Sequence, residues 1–189
     1  MQIVLASKSP RRLMLLQSAG LAVEVRPSHV DESILGGESV QDLVTRLSRE
    51  KAFACKEAEY PVIAADTLVA IGEAILGQPK DMREAADMLH KLSGREHHVL
   101  TGVCVRIGNH YEQTTVTTRV CFRDLTEQDI ATYLVHNEVM DKAGAYAVQG
   151  GAASFIEAIE GPLDNVIGLP VAMTLEMLAR VESLREKAA

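Results

Sequence analysis

A single carboxylate interrupts an apolar run in the chain. Residues 61–70 read PVIAADTLVA, a pattern typical of a buried strand, and Asp66 lies near its centre. Because burial of an unpaired charge is costly, this position indicates a partner for the carboxylate. Phosphoryl chemistry would supply one, since Mg²⁺ in such sites binds one or two carboxylates together with phosphate oxygens. The pattern leaves open whether Asp66 holds a metal, accepts a proton from water, makes a structural hydrogen bond or lies at an exposed strand end.

A second group of polar residues lies where the chain passes from a strand into a helix. Residues 7–12 read SKSPRR, with Ser9 in the N-cap position and Pro10 at the first helical position. A helix N-terminus attracts anions, and the guanidinium forks of Arg11 and Arg12 match phosphate oxygens. Ser9, Arg11 and Arg12 are therefore predicted to bind phosphate. The alternative is a capped surface helix with solvated arginines.

Three further charged residues are candidates for the same chemistry. Glu32, in the loop sequence VDES, would be the second carboxylate of a metal site. Lys51 and Lys80 are candidate cations for the remaining phosphate oxygens. Since acidic loop residues and lysines are mostly solvated, residue type alone indicates a function for these three only weakly.

A glycine-rich segment follows in the last third of the chain. Residues 144–150 read GAYAVQG, which places Tyr146 and Gln149 between glycines. Glycine would let the backbone approach a ligand, and the amide of Gln149 could read the edge of a base. Taken alone, the segment is equally typical of a flexible loop.

The cysteines and two adjacent histidines do not form a metal-binding pattern. Cys55, Cys104 and Cys121 include no close pair, so we expect reduced residues in the core or in strands. His97 and His98 lack the spacing of a zinc site and are interpreted as strand-edge histidines.

The elements that position these residues follow from cap, turn and periodicity signals. Helices are predicted from Ser9 to Gly20, Ser39 to Ala54, Asp81 to Gly94, Thr126 to Asn137 and Pro170 to Lys187. Strands are predicted at 2–6, 61–70, 97–107, 110–122 and 154–159, with Gly108-Asn109 as a hairpin turn. Strands that alternate with helices, together with one long antiparallel hairpin, predict an α/β fold with a mixed sheet.

Length and composition limit the class of protein. We expect a single domain over residues 1–189. The net charge of −7 argues against a nucleic-acid partner, because a polyanion requires a basic face. The apolar stretches are too short for a transmembrane helix or a signal peptide, so we expect a cytoplasmic protein without a membrane partner. The sequence does not define the oligomeric state and leaves a homodimer open.

Taken in order, the motifs resemble the Maf family over nearly the whole chain. They are SKSPRR at 7–12, VDE at 30–32, REKA at 49–52, AADT at 64–67, GQPKD at 77–81, LTGV at 100–103, FRDLT at 122–126, DKAGAYAVQG at 141–150 and NVIGLP at 165–170. The resemblance implies one elongated domain with a mixed sheet and a deep cleft, related to inosine triphosphate pyrophosphatases. It also implies hydrolysis of a nucleoside triphosphate to the monophosphate and pyrophosphate with a divalent metal, Mg²⁺ or alternatively Mn²⁺.

The resemblance assigns roles to individual residues. Arg11 and Arg12 match the family's phosphate binders, and Glu32 and Asp66 match its acidic pair. Lys51 matches the lysine of the second helix, and Asp66 the family's proposed proton acceptor.

Three positions bear on the substrate. Arg11, Thr67 and Gln149 are similar to the family branch that acts on dTTP and UTP, which predicts that Thr67 and Gln149 bind substrate. The branch that acts on 7-methyl-GTP differs in those motifs and is the second hypothesis. A non-catalytic regulator of septum formation is the third, because the family takes its name from an effect on cell division.

The chain departs from the family pattern at one position. Members usually read Gly-Lys-Pro where this chain has Gln78 between Gly77 and Pro79. A neutral amide thus replaces a cation. Lys80, two residues further on, would lie on the same side of a strand-like backbone and could compensate.

Overall fold

The computed structural model describes residues 1–56 and 58–188 as a mixed α/β structure. The α-helices are α1 (Pro10–Ser18), α2 (Val40–Ala54), α3 (Met82–Leu92), α4 (Glu127–His136), α5 (Leu163–Ile167) and α6 (Val171–Ala188). The strands are β1 (Gln2–Leu5), β2 (Ala22–Val25), β3 (Val62–Ile71), β4 (Ala74–Leu76), β5 (Glu96–Ile107), β6 (His110–Phe122) and β7 (Ile156–Glu160). Short 3₁₀ turns span Ala143–Ala145, Val148–Gly150 and Ala152–Phe155.

The seven strands form one mixed sheet. Their order is β2-β1-β3-β5-β6-β7, and β4 pairs with β3. Strand β1 is parallel to β2 and β3, whereas the pairs β3-β4 and β6-β7 are antiparallel. The predicted mixed-sheet α/β class is confirmed.

The chain divides into two compact units. Unit 1 contains Met1–Asp66, Thr101–Val116 and the described residues from Gly168 onward. Its main apolar cluster takes side chains from β1, α1, β3, β5 and α6, including Ile3, Leu5, Leu16, Ile63, Val103 and Met177. A smaller cluster packs α2 against β1, β3 and β5 through Val4, Ala52, Val62 and Cys104. Unit 1 therefore has its own core.

Unit 2 consists of Thr67–Leu100 and Thr117–Ile167. Its core combines the apolar face of α3 with an aromatic group formed by His97, Phe122, Tyr133, Tyr146 and Phe155. His97 is fully buried in β5, which has neighbours on both sides, so the strand-edge interpretation is wrong for this histidine. Its Nε2 lies 2.9 Å from the Tyr146 hydroxyl oxygen. This contact gives one of the two ring nitrogens a partner in the core.

Most predicted elements are confirmed, with differences at the short ones. Ser9, Ser39, Asp81 and Thr126 are the N-caps expected for α1, α2, α3 and α4. The strand predicted from residue 154 begins only at Ile156, because the preceding residues form a 3₁₀ turn. Strands β2 and β4 and helix α5 were missed, since three to five residues are too few for a periodic signal.

The cysteines are unpaired, as predicted. Cys55 and Cys104 are buried, and Cys121 is half-buried in β6. Among the described helices, none has the length and apolar character needed to cross a lipid bilayer.

Candidate active site

Lys51 joins the two acidic residues that the sequence singled out. Its Nζ lies 2.6 Å from Asp66 Oδ1 and 2.7 Å from Glu32 Oε1. The side chains of Lys51 and Asp66 are each 11% exposed, whereas that of Glu32 is 60% exposed. One ammonium group thus meets two carboxylates, of which one is largely withdrawn from solvent and the other faces it.

Helix α2 places Lys51 next to β3. The helix starts at Ser39, whose Oγ accepts a hydrogen bond from the Asp42 amide at 3.1 Å. On β5, a Cβ at Gly102 would lie 2.1 Å from the Val44 carbonyl oxygen of α2. Only glycine allows this close approach of strand and helix backbones. The glycine of the LTGV motif therefore helps to position the helix that carries Lys51.

Arg106 secures the end of α2 next to Lys51. Its guanidinium donates to the carbonyl oxygens of Ala52 at 3.2 Å and Cys55 at 2.6 Å. It also lies over the ring of Phe53, 5.1 Å from the centroid. The last carbonyls of a helix have no partner within the helix, so a cation there stabilises its end.

Arg12 is held by polar groups on two segments of unit 1. Its Nε donates to the Gly168 carbonyl oxygen at 2.8 Å, and an Nη donates to Ser7 Oγ at 3.1 Å. Ser9 caps helix α1 by accepting a hydrogen bond from the Arg12 amide at 3.4 Å. The predicted start of the helix at SKSPRR is confirmed, and the Arg12 side chain has a defined position.

Electrostatic interactions connect Arg12 with the acidic pair. Burial lowers the pKa of Arg12, and the Asp66 carboxylate opposes this shift. Arg11 lowers the pKa of Arg12 further, and Glu32 raises it. Since an arginine remains charged well above neutral pH, the guanidinium is a permanent cation beside the carboxylates. Lys51, Glu32 and Asp66 are thus joined by ion pairs, and Arg12 interacts electrostatically with both carboxylates and with Arg11; we call these five residues the charged cluster of unit 1.

Three other predicted site residues belong to unit 2. Thr67 follows Asp66 in β3 and is half-buried. Lys80 is exposed just before α3, and its backbone amide donates to Glu84 Oε2 at 2.7 Å. Gln149 is exposed within a 3₁₀ turn, so its amide is accessible.

The backbone around Gln78 is not a strand, contrary to the expectation. Strand β4 ends at Leu76, and residues 77–80 have no regular structure. The Gln78 amide donates to the Asp141 carbonyl oxygen at 3.2 Å. Gln78 therefore binds the backbone just before the glycine-rich segment.

The glycine-rich segment is packed on the core of unit 2. The Gly144 amide donates to the Gly77 carbonyl oxygen at 3.0 Å, and a Cβ at Gly144 would lie 3.1 Å from the Val69 side chain. The Ala147 amide donates to the Tyr133 hydroxyl at 3.0 Å. Tyr146 is buried, so of the two residues noted in this segment only Gln149 presents its side chain to solvent.

Sequence reasoning missed a pair of residues beside this cluster, Arg46 on α2 and Glu38 before it. The two form a bidentate ion pair, with a shortest N–O distance of 2.7 Å. Glu38 lies before the first residue of α2, so the i, i+3 and i, i+4 pairing rules for helices do not apply to it, and no signal in the sequence marks the pair.

This chain belongs to the Maf family. The sequence profile described as Maf-like protein matches residues 2–181. The match thus covers every residue of the charged cluster.

Curated relatives are similar over nearly their full length. The dTTP/UTP pyrophosphatases of Anaeromyxobacter dehalogenans (strain 2CP-C) and Geobacillus sp. (strain WCH70) are each 46% identical to this chain. The matches cover 95% of this chain in both cases, and 93% and 98% of the relatives. The dTTP/UTP pyrophosphatase of Escherichia coli (strain K12) is 42% identical over 98% of this chain and 95% of that protein.

One solved structure, of a HAM1 protein from Coxiella burnetii, is similar over 65% of this chain and 73% of that chain, with a TM-score of 0.46 and 17% identity.

Proposed function

We propose that this chain is a nucleoside triphosphate pyrophosphatase that hydrolyses the α-β phosphate bond of dTTP and UTP. Membership of the Maf family and relatives named dTTP/UTP pyrophosphatase over nearly their full length support this activity. The observation that carries the proposal is the Lys51 ammonium group, which joins Glu32 and Asp66 next to Arg12. Carboxylates and cations combined in one cluster suit a reaction in which a polyphosphate is bound and cleaved.

Arg11, Arg12 and the start of α1 are assigned to the phosphates. The N-terminus of α1, capped by Ser9, presents the positive end of the helix dipole to an anion. The planar forks of the two arginines can bind phosphate oxygens in pairs. Since Arg12 is already tied to Gly168, little of its side-chain freedom remains to be lost on binding.

Glu32 and Asp66 fit a divalent cation, Mg²⁺ or alternatively Mn²⁺. Both carboxylates reach the same ammonium nitrogen, so they also lie close enough to serve one cation. Two protein carboxylates suit Mg²⁺, which completes its coordination with water and phosphate oxygens. When bound, the metal would neutralise charge on the phosphates. Before the metal binds, the ion pairs with Lys51 hold the two carboxylates close to each other.

Asp66 is assigned to the proton transfer of hydrolysis. A water molecule attacks the α phosphorus, the new P–O bond forms, and the bond to the bridging oxygen breaks to release pyrophosphate. The Asp66 carboxylate accepts the proton that the water loses and later returns it to solvent. Lys51 donates a hydrogen bond to Asp66 and fixes the orientation of this carboxylate. The products are the nucleoside monophosphate and pyrophosphate.

The choice of base is assigned to Thr67 and Gln149, with Lys80 as a further phosphate ligand. An exposed amide at Gln149 can pair with the N3-H and an adjacent carbonyl of thymine or uracil. Lys80 is exposed and contributes a mobile point charge.

A turnover panel tests the proposal. Purified protein is supplied with dTTP, UTP, CTP, GTP and 7-methyl-GTP, and with methylated and deaminated nucleotides, each with and without Mg²⁺. We expect pyrophosphate release that depends on the metal and is fastest with dTTP and UTP. Preference for 7-methyl-GTP would assign the chain to the other substrate class. If no nucleotide is hydrolysed, the proposed enzymatic activity is refuted.

A further inference from the structure

The loop that carries Glu32 contains no helix or strand, yet its path is defined. It comprises residues 26–39, between β2 and α2. The Glu32 side chain is 60% exposed and reaches Lys51 at 2.7 Å. A single exposed ion pair contributes little to ordering a loop of this length, because its energy is small compared with the backbone entropy lost. Other contacts must hold the loop.

Those contacts converge on Arg46 of α2. An Nη donates to the Ser33 carbonyl oxygen at 2.9 Å, one residue after Glu32. The same guanidinium binds both carboxylate oxygens of Glu38, at 2.7 and 2.9 Å. Glu38 Oε2 also accepts the Leu35 amide at 3.1 Å. Arg46 and Glu38 together therefore tie the loop at three points after Glu32.

The geometry of this pair favours a rigid connection. The side chains of Arg46 and Glu38 are 16% and 8% exposed, so water competes little for their hydrogen bonds. The hydrogen bond from Arg46 lowers the pKa of Glu38, which keeps the pair charged at neutral pH. Bidentate arginine-carboxylate pairs are the strongest of the side-chain hydrogen bonds.

We infer that Arg46 and Glu38 are positioning residues, which hold Glu32 beside Lys51 and so prepare the divalent-cation site. This inference rests on the proposed function, in which Glu32 binds the metal. Without the pair, the loop would have to be ordered when the metal binds, and this cost in conformational entropy would reduce metal affinity. Loss of a residue that orients a metal ligand typically weakens binding by about 10- to 100-fold.

The same arginine provides a matched control. Its other Nη donates to Glu50 at 3.2 Å, one turn further along α2. This contact lies within the helix and does not involve the loop. Glu50→Gln therefore removes an ion pair of Arg46 but leaves the ties to Ser33 and Glu38 in place.

The experiment compares Arg46→Gln, Arg46→Lys, Glu38→Ala and Glu50→Gln in the full-length protein. Mn²⁺ binding is titrated without nucleotide by electron paramagnetic resonance, and amide hydrogen exchange is followed in residues 26–39. We expect Arg46→Gln and Glu38→Ala to weaken Mn²⁺ binding by about tenfold and to accelerate exchange in the loop. Glu50→Gln should match wild type in both measurements. Arg46→Lys should fall between, because lysine lacks the fork.

A double variant tests whether the pair acts through Glu32. Glu32→Gln should weaken Mn²⁺ binding, and Arg46→Gln should add little to that loss, whereas independent effects would multiply. In turnover assays, Arg46→Gln should raise the Mg²⁺ concentration that gives the half-maximal rate. Its kcat at saturating Mg²⁺ should stay within about twofold of the wild-type value.

Several results would overturn the inference. They are equal Mn²⁺ affinity in Arg46→Gln and Glu50→Gln, multiplicative effects in the double variant, no Mn²⁺ binding by the wild type, or unfolding of both Arg46→Gln and Glu38→Ala. Failure of the proposed function is a separate outcome. If the wild type releases no pyrophosphate from any nucleotide, the Mn²⁺ and exchange data still decide whether the pair orders a cation site.

Discussion

The ammonium nitrogen of Lys51 lies 2.6 Å from a carboxylate oxygen of Asp66, in a pair whose side chains are both nearly buried. The two residues come from different elements, α2 and β3. Removal of one partner leaves the other charge buried without its counterpart, which is costly. A variant that keeps the shape and hydrogen bonding of Asp66 limits this cost, because Glu32 remains as a counter-charge to Lys51.

Asp66→Asn meets that requirement. The amide oxygen of asparagine can still accept a hydrogen bond from Lys51, so the fold should persist. Hydrolysis should fall by about 100-fold or more, because asparagine neither accepts a proton nor binds a divalent cation strongly. Pyrophosphate release at saturating Mg²⁺ and a thermal melt provide the two measurements. Asp87→Asn, on the exposed side of α3, is the control, and near-normal turnover of Asp66→Asn would remove Asp66 from the mechanism.

Gln149→Glu should alter the ranking of nucleotides. A carboxylate loses the two donors of the amide and can no longer donate to a carbonyl of thymine or uracil. We expect kcat/KM for dTTP and UTP to fall by about tenfold or more, and the preference over CTP to shrink. The test is a comparison of kcat/KM for dTTP, UTP, CTP, GTP and 7-methyl-GTP between wild type and the variant. An unchanged ranking would show that Gln149 has no part in base choice.

Gln78→Lys introduces the cation that the family resemblance led us to expect at this position. Since Gln78 is exposed, the gain is expected to be modest, about three- to tenfold in kcat/KM. Lysine can also keep a hydrogen bond to the Asp141 carbonyl oxygen. Gln78→Met separates these roles, because it removes the hydrogen bond to Asp141 and adds no charge. No gain with lysine would indicate that another cation, such as Lys80, already supplies this charge.

Gly102→Ala should destabilise the protein. The new methyl group would overlap the Val44 carbonyl oxygen and force α2 away from β5. We expect a loss of about 2 to 3 kcal/mol in the free energy of unfolding. Gly36→Ala is a suitable control, since its Cβ would have no neighbour within 4 Å. Denaturant titrations of both variants test the prediction, and equal stability would contradict the close approach.

His97 should make stability depend on pH. Burial lowers the pKa of His97 from 6.5 to about 4. Below pH 6.5 the unfolded chain binds a proton at His97 that the folded chain does not bind until about pH 4, so stability falls as the pH drops through this window. Between roughly pH 7 and pH 4, wild type should lose about 3 kcal/mol more than His97→Gln. His98→Gln, the exposed neighbour, should behave like wild type, and parallel curves for all three proteins would contradict the prediction.

Local signals predicted much of the fold, because caps and buried strands depend on neighbouring residues. Ser9 could be recognised as an N-cap from Pro10 alone, and Asp66 from the apolar residues around it. The contact between Glu32 and Lys51 was not visible in this way. It depends on a loop path that Arg46 defines, and such long-range contacts leave no periodic trace in a sequence.

For Tyr146 and His97, local sequence signals led to a wrong prediction of the environment of the side chain. The glycines around Tyr146 indicated a loop near a ligand, yet the ring is buried. The polar imidazole of His97 indicated a strand edge, yet it also lies in the core. The two share a buried hydrogen bond between Nε2 and the hydroxyl oxygen, at 2.9 Å. Neither residue alone carries a sign of this pairing across 49 positions.

The hydrogen bond from Arg12 to the carbonyl of Gly168 joins positions that are 156 residues apart. On the ribosome, where the chain emerges from its N-terminus, helix α1 and its arginines are therefore made long before their anchor exists. All of unit 2 leaves the exit tunnel before α6, so it can collapse first, while the main apolar cluster of unit 1 still lacks the side chains of α6. Closing so long a loop is slow. Nascent chains stalled before residue 168 should consequently be prone to aggregation and to chaperone binding.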